Sequence, residues 1–91
     1  MSVLTTEVIG LRSKRIPDWT VGGQILSRTF KFEGFLMSIA FVRRIAKRAE
    51  KVNHHPDIDI RWNKVRLVLS THDAGGLTEK DFNLAKEFDS L

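Results

Sequence analysis

Ninety-one residues, 42% of them hydrophobic and 29% charged, make one unit with a single small core, so the chain reads as one domain over residues 1–91. The absence of cysteine excludes disulfide frameworks, thiolate nucleophiles and sulfur-ligated zinc, and fits a reducing, cytoplasmic setting. No apolar run approaches the roughly 20 residues that span a bilayer and no signal-peptide layout opens the chain, while a net charge of +4 and a pI near 9.9 keep polyanions in view as partners.

Thr5-Thr6-Glu7 followed by Val8, Ile9 and Leu11 predicts a short helix that Pro17 must close. Trp19 to Val21 predicts a short strand and Gly22-Gly23 a turn. Leu26, Arg28, Phe30 and Phe32 then alternate with Ser27, Thr29 and Lys31, which completes a hairpin. From Glu33 to Val52 the period lengthens. Phe35, Ile39, Val42, Ile45, Ala46, Ala49 and Val52 recur at three and four, predicting a long helix with those residues on its core face. Arg43, Arg44, Lys47, Arg48 and Lys51 crowd its C-terminal half, where cations complement the helix dipole.

Pro56 bars continuation of that helix. Ile58, Ile60 and Trp62 alternate with Asp57, Asp59 and Arg61 up to a turn at Asn63-Lys64, and Val65, Leu67, Leu69 and Thr71 return as a second strand. After Gly75-Gly76, Thr78 is placed to cap a last helix with Asp81 three residues on, and Phe82, Ala85, Phe88 and Leu91 line its inner face. These elements predict an α+β domain. Its four-stranded antiparallel sheet carries the long central helix, the C-terminal helix and the short N-terminal helix on one face. A core this small leaves little margin, and association is the common remedy.

All three histidines fall near one place. His54 and His55 stand where the long helix must end, and Pro56 holds the second in extended backbone. A hairpin turning at Asn63-Lys64 pairs Pro56-Asp57 with residues near 70–72, which brings His72 to the same end of the sheet. Three readings of such a cluster stand side by side. Zinc ligation is the first, although adjacent histidines rarely reach one ion and no HExxH motif or cysteine supports them. Structural capping is the second. Proton transfer or ligand binding is the third, because imidazole can both give and take a proton near neutrality. Elsewhere the bland readings lead: Asp81 as a first-turn helix acid, Glu50 as a solvated residue, Trp19 and Trp62 as hydrophobic packing. No Gly-rich phosphate cradle or Ser-His-Asp order appears, and nucleotide cofactors are not expected.

Glu50, His54, His55, Pro56, Trp62, His72 and Asp81 together resemble the signature of the pterin-4a-carbinolamine dehydratases. The signature is an acid, three residues, His-His-Pro, five residues, an aromatic, nine residues, His, eight residues, Asp. The likeness extends to Trp19, Phe30-Lys31-Phe32, Phe35, Ser70-Thr71-His72 and Gly76-Leu77-Thr78. The resemblance implies a hydro-lyase that dehydrates 4a-hydroxytetrahydrobiopterin to the quinonoid dihydropterin in tetrahydrobiopterin recycling, with no cofactor and no metal. It implies His54, His55 and His72 as the catalytic cluster, with His55 and His72 the first choices for proton transfer and their acid and base roles open. Asp81 and Glu50 would be supporting carboxylates. His54, His55, Pro56, Thr71, His72, Asp73 and Ala74 would line the substrate, the last residues through backbone groups. A homodimer or homotetramer is implied as well. Two rival roles remain beside it: a protein-binding accessory role, such as a transcription-factor dimerisation cofactor, and a lyase acting on another pterin, such as a molybdopterin-related compound. Direct nucleic-acid binding is not expected of the chain, because its basic arc Arg43–Lys51 has no interleaved aromatics.

Overall fold

Four antiparallel strands, β1 (Thr20–Gly22), β2 (Ile25–Lys31), β3 (Asp57–Arg61) and β4 (Lys64–Leu69), lie in the spatial order β1-β2-β4-β3. Three helices accompany them, α1 (Thr6–Ser13), α2 (Phe35–Val52) and α3 (Glu79–Asp89), in a computed structural model that describes residues 2–91. This is the α+β arrangement expected from the sequence. The pairing register puts Leu26 beside Leu69, Arg28 beside Leu67 and Phe30 beside Val65, so one face is apolar except for Arg28, whose guanidinium pairs with Asp89. The other face carries Ser27, Thr29, Lys31, Lys64 and Arg66.

The apolar face is where the helices dock. Leu26, Val65, Leu67 and Leu69 form one buried cluster with Phe41, Ile45 and Ala49 of α2 and with Phe82, Leu84, Ala85 and Phe88 of α3. Burying each large apolar side chain contributes about 1.5–3 kcal/mol. Phe41 ties helix to sheet, its ring centroid lying 4.7 Å from that of Phe30 and 4.9 Å from that of Phe32. Trp19 packs as expected, buried against Phe30, and its indole N–H donates to Asp89 at 2.7 Å.

Four details differ from the sequence reading. The buried stripe of α2 is Ser38, Phe41, Ile45 and Ala49. Phe35, Ala46 and Val52 are exposed and Ile39 and Val42 half-buried, because the helix carries two adjacent apolar strips and the sheet covers only one. The second hairpin turns at Trp62-Asn63, one position earlier than expected, with Arg61 paired to Lys64. Trp62 therefore leaves the strand, adopts φ 52° and stands 67% exposed instead of packing. β4 ends at Leu69, and His72 opens a single 3₁₀ turn, His72–Ala74. Finally Leu91 is exposed, while Leu84 takes a core position on α3.

Helix α1 buries no residue completely, and polar ties hold it. The Arg12 guanidinium donates to both Glu79 carboxylate oxygens at 2.9 Å, and the Leu4 N–H donates to the Leu77 carbonyl at 2.8 Å. Hydrogen bonding from Arg12, reinforced by its charge, holds the Glu79 carboxyl below the usual carboxylate range. Folding therefore favours the ionised form, and this contribution is complete above the ordinary carboxylate pKa and fades as pH falls through the lowered folded value. Glu79→Gln is expected to remove that part of the acid dependence of the melting temperature while leaving the neutral-pH fold intact. An unchanged acid limb of the stability curve would count against the tie.

Candidate active site

The local sequence turns the chain sharply where α2 ends. Asn53 takes the left-handed conformation (φ 52°, ψ 45°), a region asparagine tolerates, and the His54 N–H reaches back to the Ala49 carbonyl at 3.1 Å. Pro56 then commits the chain to β3. His54 and His55 consequently project from a fixed corner between α2 and β3.

Asp57 pairs with Val68, a two-residue shift from the expected register that follows from the earlier turn. A shift of two preserves which face each residue occupies. The convergence of histidines therefore survives, and His54, His55 and His72 line one open depression of about 330 Å³. Ser70, Thr71 and Asn53 complete its floor and walls, and Asp73 and Lys80 add one charge of each sign. A larger depression, about 720 Å³ between Arg15 and α3, holds none of the histidines.

His54 is the anchored member of the cluster. Its Nε2 lies 2.6 Å from Oδ1 of Asp81, a carboxylate with no exposed surface, and its own side chain is only 11% exposed. The other oxygen of Asp81 accepts from the Thr71 hydroxyl at 2.8 Å and from the Thr78 N–H at 2.9 Å. The Thr71 and Thr78 hydroxyls are 2.8 Å apart, so with the Thr71 proton committed to Asp81 the Thr78 hydroxyl donates to Thr71. Asp81 thus caps α3 and holds His54 with the same side chain. A carboxylate can only accept, which assigns the His54 ring proton to Nε2 and leaves Nδ1 as the acceptor of the neutral ring. No buried polar side-chain atom among the described residues lacks a partner, so Nδ1, to which none of those residues offers a hydrogen bond, is not sealed from solvent.

His55 and His72 are looser. The His55 ring is 55% exposed, and its Nε2 is 3.5 Å from Oε2 of the still more exposed Glu50. His72 is exposed, with Nε2 at 3.4 Å from the Ser70 hydroxyl. Thr71 has its hydroxyl engaged with Asp81 and Thr78, its N–H on the Gly76 carbonyl and its own carbonyl on Ala74 and Gly75. Ala74 and Pro56 are half-buried and stand outside the depression. Thr78, read from the sequence as the cap of α3, also joins the Asp81 network through its hydroxyl, and Lys80, one position before Asp81 on the first turn of α3, lines the depression without having been singled out. Among the described residues no group of three or more metal-ligating side chains is arranged to hold an ion.

Comparison with known proteins adds the chemistry that geometry alone leaves open. The family model described as pterin 4 alpha carbinolamine dehydratase matches residues 2–91. A protein of Acidobacterium capsulatum with the provisional name pterin-4-alpha-carbinolamine dehydratase is 47% identical over 91 residues, covering 100% of this chain and 99% of that one. A crystal structure from Brucella melitensis, described as a transcriptional coactivator/pterin dehydratase, superposes with a TM-score of 0.91 at 30% identity, covering 98% and 97% of the two chains. A pterin dehydratase-like protein described as a RuBisCO assembly factor in the alpha-carboxysome shares the fold at a TM-score of 0.65 and 22% identity, over 79% and 83% of the chains.

Proposed function

The chain belongs to the pterin 4 alpha carbinolamine dehydratase family of hydro-lyases, and on that premise we propose that its three histidines dehydrate a 4a-hydroxytetrahydropterin by general acid–base catalysis. In this elimination the N5 proton passes to a base and the C4a–O bond breaks. An acid protonates the departing hydroxyl as water, and an N5=C4a double bond remains in the quinonoid product. One proton is taken and one returned, so two imidazoles are sufficient. The observation that carries the reading is the gathering of His54, His55 and His72 around a depression of about 330 Å³, at the lower end of the range for small-molecule sites.

Roles follow from how tightly each ring is held. His54, fixed through Nε2 by Asp81, presents Nδ1 as an acceptor that orients an N–H of the pterin. His55 and His72, exposed and loosely tethered, are the proton-transfer pair, with Glu50 steadying His55. Thr71 acts through its hydroxyl on Asp81, and Asp73 and Lys80 meet the substrate's polar edge. Recycling of tetrahydrobiopterin is the metabolic setting in this reading. The deciding assay is acceleration of the dehydration of chemically generated 4a-hydroxytetrahydrobiopterin, followed by absorbance. A rate no faster than the uncatalysed one overturns the reading.

Self-association belongs to the same proposal. Phe35, Leu36 and Met37 are exposed by 50%, 81% and 52%, and β3 is an unpaired edge with Ile58 and Ile60 half-uncovered. Contiguous apolar surface and a free strand edge of this kind favour pairing with a second copy. Leu36→Glu is expected to lower the oligomeric mass in sedimentation without unfolding the chain. Retention of the wild-type mass would exclude this strip as the interface.

A further inference from the structure

The uncovered face of the sheet carries an arrangement of charge that stability does not explain. Lys64 stands directly opposite Lys31 on one side and Arg61 on the other, so three cations lie in register across β2, β4 and β3. Neighbouring strands are about 4.8 Å apart, and like charges directly opposite one another are destabilising. Arg66 adds a fourth cation two residues along β4, between Thr29 and Asp59. Among the described residues, Arg61 alone of the four has a counterion, Asp59 at 3.3 Å, and both side chains of that pair are largely exposed. Thr29, Asp59, Arg61, Lys64 and Arg66 enclose a shallow depression of about 160 Å³. At the turn joining Arg61 to Lys64 stands Trp62, 67% exposed and held at φ 52°, a backbone region that bulky side chains rarely adopt.

We propose that this end of the open sheet face binds single-stranded nucleic acid, its phosphates on the Lys31–Lys64–Arg61 row and Arg66, and a base stacked on Trp62. A cationic track with an accessible aromatic ring is the combination that single strands require, since every base has a face to stack and every linkage a charge. An acidic peptide would satisfy the cations and leave the indole unused. The basic arc of α2 lacks the second half of the combination: Arg43, Arg44 and Lys47 are exposed, but Phe41 beneath them is buried. The sheet site is independent of the dehydratase reading, because Lys64 and Ser70 are six residues apart along the chain, roughly 20 Å in extended backbone.

The test uses the intact protein and a fluorescently labelled oligo(dT), with anisotropy read over a salt series. Binding should be present at low salt and fall steeply with added salt. Lys64→Ala/Arg66→Ala should weaken it at least tenfold and flatten the salt slope, with dehydration of the pterin unchanged as proof of folding. Trp62→Asn, which keeps every charge and suits the positive φ, should weaken binding by about fivefold or more, the range for one lost stacking contact. Arg43→Ala/Arg44→Ala, which removes equal charge from α2, should change it little. Absence of binding, equal losses from the sheet and helix double variants, no effect of Trp62→Asn, or equally tight binding of an acidic peptide each overturns the proposal.

Discussion

Replacing His72 with alanine is expected to lower the rate of pterin dehydration by roughly 10²–10⁴, the usual worth of one positioned proton-transfer group, and His55→Ala to do the same. Both residues are exposed, so neither change should move the melting temperature by more than the small amounts typical of surface substitutions. That separation of activity from stability is what makes the pair informative. If His55 and His72 act as a unit, the double variant should be little slower than either single variant, because removing one partner already disables the exchange. Wild-type rates in both single variants would remove the histidines from the chemistry and leave only their placement.

Changes at Asp81 should do the opposite and join stability to activity. Asp81→Ala deprives the His54 ring, the Thr71 hydroxyl and the Thr78 N–H of their common acceptor and removes one half of the α3 capping box, while the Thr78 side chain keeps its bond from the backbone N–H of residue 81. Each of these three groups left unpaired costs about 1–3 kcal/mol, so a loss of about 3 kcal/mol or more is expected in denaturant unfolding. Asp81→Asn is the sharper variant. A carboxamide has one accepting oxygen and one donating nitrogen, and the oxygen is claimed by the two donors from Thr71 and Thr78. The amide nitrogen then faces His54 and drives the ring proton from Nε2 to Nδ1. The variant should remain folded yet lose activity by about tenfold or more, with the His54 tautomer inverted in nitrogen NMR. Full activity with an inverted tautomer would show that His54 does not orient the substrate through Nδ1.

Much of this was legible in the order of residues. Period-two alternation in β2 and β4, period three-to-four in α2, and breaks at Pro56 and Gly75-Gly76 depend on local sterics and on solvent exclusion from one face, so they are written along the chain. The same spacing brought the three histidines to one end of the sheet, and it tolerated an error in the turn because a shift of two residues keeps every side chain on its face. Which of two neighbouring apolar strips on α2 meets the sheet was a different kind of question. Both have helical period, and only the position of Phe30, Phe32 and the β4 leucines selects Phe41 over Phe35.

The double duty of Asp81 was likewise half visible. Its place three residues after Thr78 announced a cap, but its contact with His54 joins residues 27 apart, and only the docking of α3 against the end of α2 creates it. The cation row on the open face is the extreme case, since Lys31, Arg61 and Lys64 form no run in the sequence and become neighbours solely through strand register. Local pattern determined the elements and the end of the sheet where the histidines meet. Long-range packing decided which histidine is anchored, which apolar strip stays bare and where positive charge accumulates, because those properties belong to surfaces that no single segment possesses.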